Sequence, residues 1–467
     1  MQERDLLIIG GGPAGYVAAI RAAQLGAKAT LIEENALGGT CLNRGCIPMR
    51  ALVRGVEFID LVKKARDYGF NYGEASVDLA KMMARKDTVV KTVVGGVGLL
   101  LKENGVQIVQ GRARLLSPSE VEVQQQGGDS PKITARRIII ATGSRLKRLS
   151  IPGADGDGVI TTDQALELKE VPRSMLIVGG GAIAFAFATI FSKLGTSVIV
   201  IEGSTQILPG VDREIVSLFE RELKKDRIPV YTQVYIKAIA DEGREDKAVA
   251  ISIGGEETTL TSQCVLIAEE REANIDGLGL DRVGVKVSDG GITVNSGMET
   301  SVPGIFAAGD VTGGQMLAHV AFAQGRVAVE NALGKQSEID YTAVPRCINA
   351  TPEIASVGLT EDEVLAQGYQ IRIGRFPFAA SGMATILGER TGMIKIISEA
   401  KYGQILGVHI IGPQASNLIP EAVLAMKLDA TPQEISSAIH THPTLSEALM
   451  EAAMAVTGES IHSLPSG

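Results

Sequence analysis

The chain contains no tryptophan, and aromatic residues make up only 4% of its 467 positions. Its four cysteines are too few for a disulfide framework in a chain of this length, which favours a reducing compartment. The net charge of -9 excludes the electrostatic footprint of nucleic-acid binding or of an anionic membrane surface. Apolar runs such as Val93–Leu101 are too short to span a bilayer. A strand-like segment at Asp5–Ile9 leaves no room for a targeting sequence, so we expect a cytoplasmic protein, or a processed organellar one.

Glycine, in contrast, is abundant, with 54 residues. Many glycines and few aromatics are typical of α/β proteins in which tight turns join strands to helices around nucleotides. The length exceeds what one hydrophobic core organises and suggests about three domains. We therefore predict an α/β fold with two Rossmann-like dinucleotide-binding domains and a C-terminal α+β dimerisation domain.

The first dinucleotide motif is a glycine-rich turn between a predicted strand and a predicted helix over 16–25. Gly10 allows the tight turn, Gly12 lets a pyrophosphate approach the backbone, and Gly15 lets the helix pack on the sheet. The helix N-terminus then favours the phosphates. Glu33 ends the second strand at the distance expected for the acid that binds a ribose.

A second copy of this motif begins at Gly179, after the apolar strand Met175–Val178. Gly181 takes the second glycine place, and Ala184 is an accepted variant of the third. Glu202 ends the following strand, where it accepts hydrogen bonds from a ribose 2′-hydroxyl and repels a 2′-phosphate. Two dinucleotide sites indicate an electron relay, and the second favours NAD over NADP.

Two further segments are consistent with a first domain that is split along the chain. One apolar strand ends at Thr142-Gly143 and another at Gly309-Asp310. Asp310 has an alternative interpretation as an ordinary turn or cap residue.

The most informative segment contains Cys41 and Cys46. Residues five apart in an ideal helix have Cα atoms about 8.6 Å apart, beyond the roughly 7 Å limit for a disulfide. A bridge therefore needs a bent backbone, which Gly45 supplies, and a strained bridge of this kind is redox-active. The alternatives are two small core residues or half of a metal site, but Cys264 and Cys347 stand alone and are expected to be inert core thiols; we predict no metal site.

The segment around His442 also has two interpretations. Thr444 and Glu447 match a capping box for a helix over 445–456. Alternatively, His442 is a general base that Glu447 orients.

Three segments together resemble a known family: Cys41–Pro48, Gly309–His319 and His442–Glu447. Their motifs and order are similar to those of the dihydrolipoamide dehydrogenases, a group within the pyridine nucleotide-disulfide oxidoreductase family, over nearly the whole chain. Glutathione reductases fit less well because Glu202 argues against NADP. Mercuric reductases fit less well because the tail, 461–467, has no cysteine pair.

The resemblance implies a homodimer that uses FAD and NAD and oxidises dihydrolipoamide carried by a lipoyl-bearing protein. It implies that Cys41 is the interchange thiol and that Cys46 is the thiolate beside the flavin. His442, oriented by Glu447, deprotonates the dithiol, and Asp310 binds the ribityl chain.

Several positions depart from the pattern of that family. Met49-Arg50 replaces Ser-Lys, with Arg50 as the cation expected near the flavin, and Val320 and Gln324 replace charged residues. On the NAD side, the departures are Ala186, which replaces an acid, and the acidic turn Glu269, Glu270 and Glu272. One interpretation is a solvated surface turn, and the other is weak NAD chemistry in a flavoprotein that docks to a lipoyl-bearing partner and uses another electron partner.

The domain boundaries expected from these motifs are 1–145 and 275–340 for the FAD domain, 146–274 for the NAD domain and 341–467 for the interface domain. Alternating runs at 392–397 and 405–410 predict an antiparallel sheet in the last of these. The remaining histidines are expected to be packing or surface residues, with His319 as the exception that binds cofactor: His319, His409, His440 and His462.

Overall fold

The computed structural model describes residues 4–71, 73, 76–243, 246–268, 271–288 and 290–464. The strands within these residues are β1 (Arg4–Ile9), β2 (Ala29–Glu33), β3 (Gln107–Gln110), β4 (Arg112–Ser117), β5 (Glu120–Gln124), β6 (Lys132–Ile140), β7 (Ser144–Leu146), β8 (Val159–Thr161), β9 (Ser174–Val178), β10 (Ser197–Ile201), β11 (Val230–Tyr231), β12 (Val234–Glu242), β13 (Asp246–Ile253), β14 (Glu256–Ser262), β15 (Cys264–Ile267), β16 (Arg271–Ala273), β17 (Val287–Ser288), β18 (Gly291–Ile292), β19 (Ile305–Ala307), β20 (Arg346–Ile348), β21 (Ile354–Gly358), β22 (Ile371–Pro377), β23 (Met393–Glu399) and β24 (Ile405–Ile411).

The α-helices are α1 (Pro13–Gln24), α2 (Gly39–Arg44), α3 (Cys46–Lys64), α4 (Leu79–Glu103), α5 (Thr162–Ala165), α6 (Ala182–Lys193), α7 (Arg213–Lys225), α8 (Leu280–Val283), α9 (Ala318–Ala332), α10 (Glu361–Ala366), α11 (Gly382–Leu387), α12 (Ala415–Lys427), α13 (Pro432–Ser437) and α14 (Glu447–Thr457). Short 3₁₀ helices occur at Ala65–Tyr68, Asp310–Thr312 and Phe378–Ala380. Among the described helices, none is long and apolar enough to cross a membrane.

The chain forms two compact units. The described residues of the first lie within Met1–Leu149, Thr161–Glu170 and Glu269–Ile339. Its main sheet has the order β3-β2-β1-β6-β5-β4, with β19 also paired to β6. Strands β3, β2, β1, β6 and β19 run parallel. The inner segments 6–9, 138–140 and 305–307 are buried apolar runs, because both faces of a parallel sheet are covered there. Their carboxyl ends therefore share one edge, which is where the first glycine turn lies.

The second unit comprises Ser150–Ile160, the described residues of Val171–Ala268, and Asp340–Gly467 up to residue 464. It holds a five-stranded sheet of order β11-β10-β9-β15-β8, whose strands β11, β10, β9 and β15 run parallel. It also holds the antiparallel sheet β12-β13-β14 and the antiparallel sheet β20-β21-β24-β23-β22.

The predicted fold class is confirmed. The strands predicted at both glycine motifs are present, as is the antiparallel pair β23 and β24. The first helix begins at Pro13 rather than at residue 16, because proline at the first helical position suits the helix start and its missing N–H is not needed there. The four-segment division into FAD, NAD and interface domains stays a prediction.

Candidate functional site

The backbone between the two cysteines is broken, as the spacing predicts. Cys41 lies in α2 and Cys46 is the first residue of α3, and Gly45 between them has φ -131° and ψ -111°. This conformation ends one helix and begins the next. It brings the side chains of Cys41 and Cys46 within hydrogen-bond distance of each other. Cys41 is half-buried and Cys46 is exposed in the chain.

The two thiols differ in acidity. The hydrogen bond with Cys46, together with burial, raises the pKa of Cys41. The same hydrogen bond lowers the pKa of Cys46. Cys46 also begins a helix of 19 residues, whose N-terminus favours a negative charge. The lowered pKa and the position at the helix N-terminus both favour Cys46 as the thiolate of the pair.

The first glycine turn brings strand, turn and helix into direct backbone contact. A Cβ on Gly10 would lie 2.3 Å from the Ala141 carbonyl oxygen, and one on Gly15 would lie 1.8 Å from the Gly10 oxygen. A Cβ on Gly12 would meet only the Cα of Gly39, at 3.8 Å, among described atoms. The backbone at Gly12 is therefore open to a ligand, whereas Gly10 and Gly15 are required for packing.

Glu33 is held at the end of β2 by two backbone donors. Gly11 N–H donates to Oε2 at 2.6 Å, and Asn35 N–H donates to Oε1 at 2.7 Å. The side chain is buried, so its orientation is set before any ligand binds. This placement suits the predicted contact with a ribose.

The two small-residue turns of the first unit are each fixed by hydrogen bonds. At Thr142-Gly143, the Thr142 hydroxyl donates to the Asn274 carbonyl at 2.7 Å, and Asn274 N–H donates to the Gly143 carbonyl at 2.9 Å. At Gly309, where φ is +82°, the N–H donates to Oε1 of Gln324 at 2.7 Å. The unexpected glutamine therefore supports the turn before Asp310.

Asp310 is the first residue of the 3₁₀ helix Asp310–Thr312, in which Gly309 takes the cap position. Oδ2 of Asp310 accepts from the Ser144 hydroxyl at 2.5 Å. The carboxylate thus points across the turn, which favours a binding role over the alternative.

Sequence reasoning missed Arg271. Its guanidinium donates to the Ser144 hydroxyl at 2.8 Å, to the Ser144 carbonyl at 2.9 Å and to the Thr40 hydroxyl at 3.2 Å. Burial lowers the pKa of Arg271, while the charges of Asp163 and Asp310 oppose this effect. Arg271 therefore connects the residue before Cys41 to the partner of Asp310. The available signal was a single cation between two acidic residues, Glu270 and Glu272.

The other residues near the cysteines that differ from the family pattern lie on helices. Met49 is buried in α3 and Arg50 is half-buried one position later, while Val320 is buried in α9. His319 is exposed near the start of α9. The cofactor roles predicted for Arg50 and His319 stay predictions.

The second glycine turn repeats the arrangement of the first. Gly179 has φ +107°, and a Cβ on Gly181 would meet no described atom within 4 Å beyond its own neighbours. Ala184 is fully buried. Glu202 accepts from Gly180 N–H at 2.5 Å and from Ser204 N–H at 2.7 Å.

The acidic turn is partly neutralised. Glu272, on β16, accepts from Arg145 on β7 at 2.7 Å, and Arg145 also pairs with Asp276. Glu269 and Glu270 lie outside the described residues. Ala186 stands where the family pattern has an acid. It is only 3% exposed in α6, so a carboxylate at this position would be buried and would need a polar partner.

His442 and Glu447 form the predicted pair. Nδ1 of His442 lies 2.8 Å from Oε1 of Glu447, and Oε2 accepts from Thr444 N–H at 2.8 Å. The predicted capping box is wrong in part, because the Thr444 hydroxyl donates to the Thr441 carbonyl and the helix begins at Glu447. Burial would raise the pKa of Glu447, but the hydrogen bonds from Thr444 and His442 lower it overall.

The cysteine and the histidines outside the candidate site are buried or make structural contacts. Cys264 is buried in β15, and burial raises its pKa to about 12, so it is an inert thiol as expected. His409 is buried, with Nε2 3.0 Å from the Leu359 carbonyl. His440 pairs with Glu421 at 3.0 Å.

Known proteins resemble this chain over nearly its full length. Residues 4–325 match the family described as pyridine nucleotide-disulphide oxidoreductase, and residues 344–453 match its dimerisation domain. The dihydrolipoyl dehydrogenase of Bacillus subtilis is 42% identical over 472 residues, covering 98% of this chain and 99% of that protein. The dihydrolipoyl dehydrogenase of Thermus scotoductus is 42% identical over 470 residues, covering 99% of this chain and 100% of that protein. Among solved structures, the flavoprotein disulfide reductase RclA from Escherichia coli, in its Cu(II) complex, superposes with a TM-score of 0.88 at 26% identity, covering 97% of this chain and 99% of that chain.

Proposed function

Because the chain belongs to the pyridine nucleotide-disulphide oxidoreductase family, we propose that it oxidises protein-bound dihydrolipoamide through a Cys41–Cys46 disulfide and FAD, with NAD as the electron acceptor. The observation that carries this proposal is the pair of cysteines on the two sides of the backbone break at Gly45, with Cys46 at the N-terminus of α3.

The residues that would hold FAD fit a dinucleotide. Gly12 offers an open backbone at the start of α1, the oriented carboxylate of Glu33 suits a ribose, and Asp310 suits the ribityl chain. When bound, FAD supplies two-electron chemistry between the dithiol and the nicotinamide. Further contacts with FAD are assigned to Gly10, Gly15, Arg50, Thr142, Gly143, Gly309 and His319.

The residues that would hold NAD form the second turn. Its glycines and Ala184 would let the phosphates approach the N-terminus of α6, and the carboxylate of Glu202, which Gly180 N–H orients, would accept from the ribose hydroxyls. A 2′-phosphate would meet the same negative charge, which supports NAD rather than NADP. The observed pair Arg145–Glu272 and the named relatives both weigh against an NAD site disabled by acidic residues.

The dithiol is oxidised by thiol–disulfide exchange. Nε2 of His442 takes a proton from one substrate thiol, while Glu447 holds Nδ1. The substrate thiolate attacks the Cys41 sulfur, the Cys41–Cys46 bond breaks and Cys46 leaves as a thiolate. The second substrate thiol then attacks the substrate sulfur of the mixed disulfide and gives its proton to the departing Cys41 sulfur. The substrate ends with one S–S bond, Cys41 is a thiol, Cys46 is a thiolate and the first proton is on His442. General-base assistance of this kind contributes about 10²- to 10⁴-fold.

The working form is assigned to a homodimer in the cytoplasm, in which His442 of the partner subunit faces the cysteine pair. We assign residues 1–145 and 275–340 to the FAD domain, 146–274 to the NAD domain and 341–467 to the interface domain. The match of 344–453 to a dimerisation domain supports the last of these.

The test is an anaerobic titration of the purified flavoprotein with dihydrolipoamide and, separately, with NADH. Each reductant should produce a long-wavelength thiolate-to-flavin absorption band. His442→Ala should slow the dithiol reaction by about 10²- to 10⁴-fold and leave reduction by NADH intact. A wild-type protein that dihydrolipoamide does not reduce would overturn the proposal, and one reduced by dihydrolipoamide alone would exclude NAD as the acceptor.

A further inference from the structure

Lys395 is a lysine buried inside the second unit. It lies on β23, an inner strand of the antiparallel sheet, and its side chain is only 1% exposed. In the strand register it stands directly opposite Arg375 on β22. Two cations in directly opposite positions repel each other, so this part of the sheet is stable only if carboxylates compensate them.

Three carboxylates surround this lysine. Nζ of Lys395 donates to both oxygens of Asp212, at 2.9 and 3.0 Å, and to Oε2 of Glu361 at 2.7 Å. Oε2 of Glu214 lies 3.1 Å from the same nitrogen and also accepts from Arg375. Burial would lower the pKa of Lys395, but the hydrogen bonds with Glu361 and Asp212 raise it overall, so the lysine is charged. These side chains form the lysine cluster: Lys395, Asp212, Glu214 and Glu361.

The segment 203–211 connects the lysine cluster to the second glycine turn. It begins directly after Glu202 and ends directly before Asp212. Between these ends, Leu208 N–H donates to the Gly180 carbonyl at 2.8 Å. The segment therefore runs from the carboxylate that is proposed to bind the ribose, along the glycine turn, to the buried aspartate.

Leu208 adopts a backbone conformation that leucine rarely takes. Its φ is +51°, in the left-handed region, where the Cβ crowds the following carbonyl oxygen. Its side chain is buried. A residue stays in such a conformation only where the surrounding contacts hold it there, and strained residues of this kind cluster at binding and catalytic sites. The path of the segment is thus imposed by its contacts, and buried charges anchor its end at Asp212.

The lysine cluster fixes geometry more than it adds stability. Moving charges out of water offsets most of their mutual attraction, so apolar residues of the same volume would often stabilise a core equally well. The hydrogen bonds, in contrast, fix where Asp212 lies relative to β23. Lys395 belongs to residues 344–453, which match the dimerisation domain, whereas Asp212 belongs to residues 4–325 of the other match. The cluster therefore connects the sheet of the dimerisation domain to the segment beside the second glycine turn.

We propose that Lys395 is a positioning residue for NADH: by holding Asp212, it fixes the segment 203–211 and, through that segment, the backbone of the second glycine turn. The inference rests on the proposed function, which assigns NAD to this turn. The affinity for the dinucleotide thereby depends on a side chain of the dimerisation domain.

The decisive comparison is between Asp212→Asn and Glu361→Gln. Each removes one negative charge from the lysine cluster and leaves two carboxylates on Lys395, but only Asp212 adjoins the segment 203–211. Asparagine caps a helix as well as aspartate does, so Asp212→Asn preserves the start of α7. Asp212→Asn should raise the dissociation constant of ADP-ribose, measured by calorimetry on the oxidised holoenzyme, about 5- to 30-fold. Glu361→Gln should leave it within about twofold of the wild-type value.

The direction of the change separates positioning from charge. ADP-ribose is an anion, so the loss of a nearby acid would by itself strengthen its binding, whereas the loss of positioning weakens it. Hydrogen exchange of the backbone amides in 203–211 reports positioning without any ligand, and it should accelerate in Asp212→Asn but not in Glu361→Gln. Flavin content and reduction by dihydrolipoamide should be the same in both variants.

Pro209→Gly is a second variant, which leaves the lysine cluster intact. Pro209 is exposed in the same segment, and glycine there increases the backbone freedom between Leu208 and Asp212. This variant should also weaken ADP-ribose binding and accelerate exchange in 203–211. If Asp212→Asn does not fold, unchanged ADP-ribose binding in Pro209→Gly overturns the proposal.

Glu202→Gln separates failure of the inference from failure of the proposed function. ADP-ribose that does not bind the wild-type protein, or that binds Glu202→Gln equally well, would refute the assignment of NAD to the second turn and the inference with it. Weaker binding in Glu202→Gln together with unchanged binding in Asp212→Asn, or equal changes in Asp212→Asn and Glu361→Gln, would overturn the inference alone.

Discussion

The two glycine turns follow one sequence pattern but differ in how tightly the backbone packs. In both, a glutamate at the end of the second strand accepts from the N–H of the middle glycine and from the N–H two residues after itself. In the first turn, a methyl group at position 15 would lie 1.8 Å from the Gly10 oxygen. In the second turn, the corresponding methyl group, that of Ala184, is present and fully buried.

The comparison separates two functions of the motif. The hydrogen bonds to Glu33 and Glu202 set the ligand-binding carboxylate and are the same at both sites. The third position sets the contact between helix and turn, and there the two sites differ. Local packing therefore determines which residue stands at the third place of the motif, whereas the ligand determines the glutamate.

The largest expected effect comes from exchanging glycine and alanine at the third place of the two motifs, Gly15 and Ala184. Gly15→Ala forces a Cβ into a backbone oxygen that cannot move without moving β1, and should destabilise the first unit by about 3 kcal/mol. The purified protein should contain little flavin. Absorbance at the flavin maximum and urea unfolding measure both effects.

Ala184→Gly is the reciprocal change. It removes a buried methyl group near the start of a helix and should cost about 1 kcal/mol, with flavin content unchanged. Equal losses in the two variants would contradict the difference in packing between the turns.

The next largest effect comes from the carboxylates. Glu33→Gln and Glu202→Gln each replace a charge-assisted acceptor with an amide, a loss of about 1.5 to 3 kcal/mol. Glu202→Gln should raise KM for NADH by about tenfold or more and leave flavin content intact. Glu33→Gln should weaken flavin retention and leave KM for NADH unchanged. If Glu33→Gln instead raised KM for NADH and Glu202→Gln weakened flavin retention, NAD would belong to the first site and FAD to the second.

The sequence predicted these glutamates because a strand, a turn, a helix and a second strand of standard length fix where the second strand ends. It also predicted the break between Cys41 and Cys46 from helix geometry alone. These features are local, since residues close in the chain determine them.

The features that the sequence did not predict depend on contacts between distant segments. Arg271 meets Thr40 and Ser144 across long stretches of chain, and no spacing rule connects those positions. His462 is exposed, as expected of a surface residue, but its pairing with Glu451 was not predicted. The capping box at Thr444 was wrong in part for a local reason: Glu447 accepts from Thr444 N–H as expected, but the Thr444 hydroxyl donates to the Thr441 carbonyl and the helix starts later.

The smallest expected effect concerns the acidic turn. If negative charge on this turn weakened the NAD site, Glu272→Gln should improve KM for NADH severalfold. The charge of Glu272 is already matched by Arg145 at 2.7 Å, and exposed ion pairs of this kind contribute about 0 to 1 kcal/mol. We therefore expect KM to stay within about twofold of the wild-type value. Arg145→Gln is the sharper control, because it leaves the charges of Glu272 and Asp276 unpaired: a KM that rises in Arg145→Gln but stays constant in Glu272→Gln would show that this pairing keeps the acidic turn from weakening NADH binding.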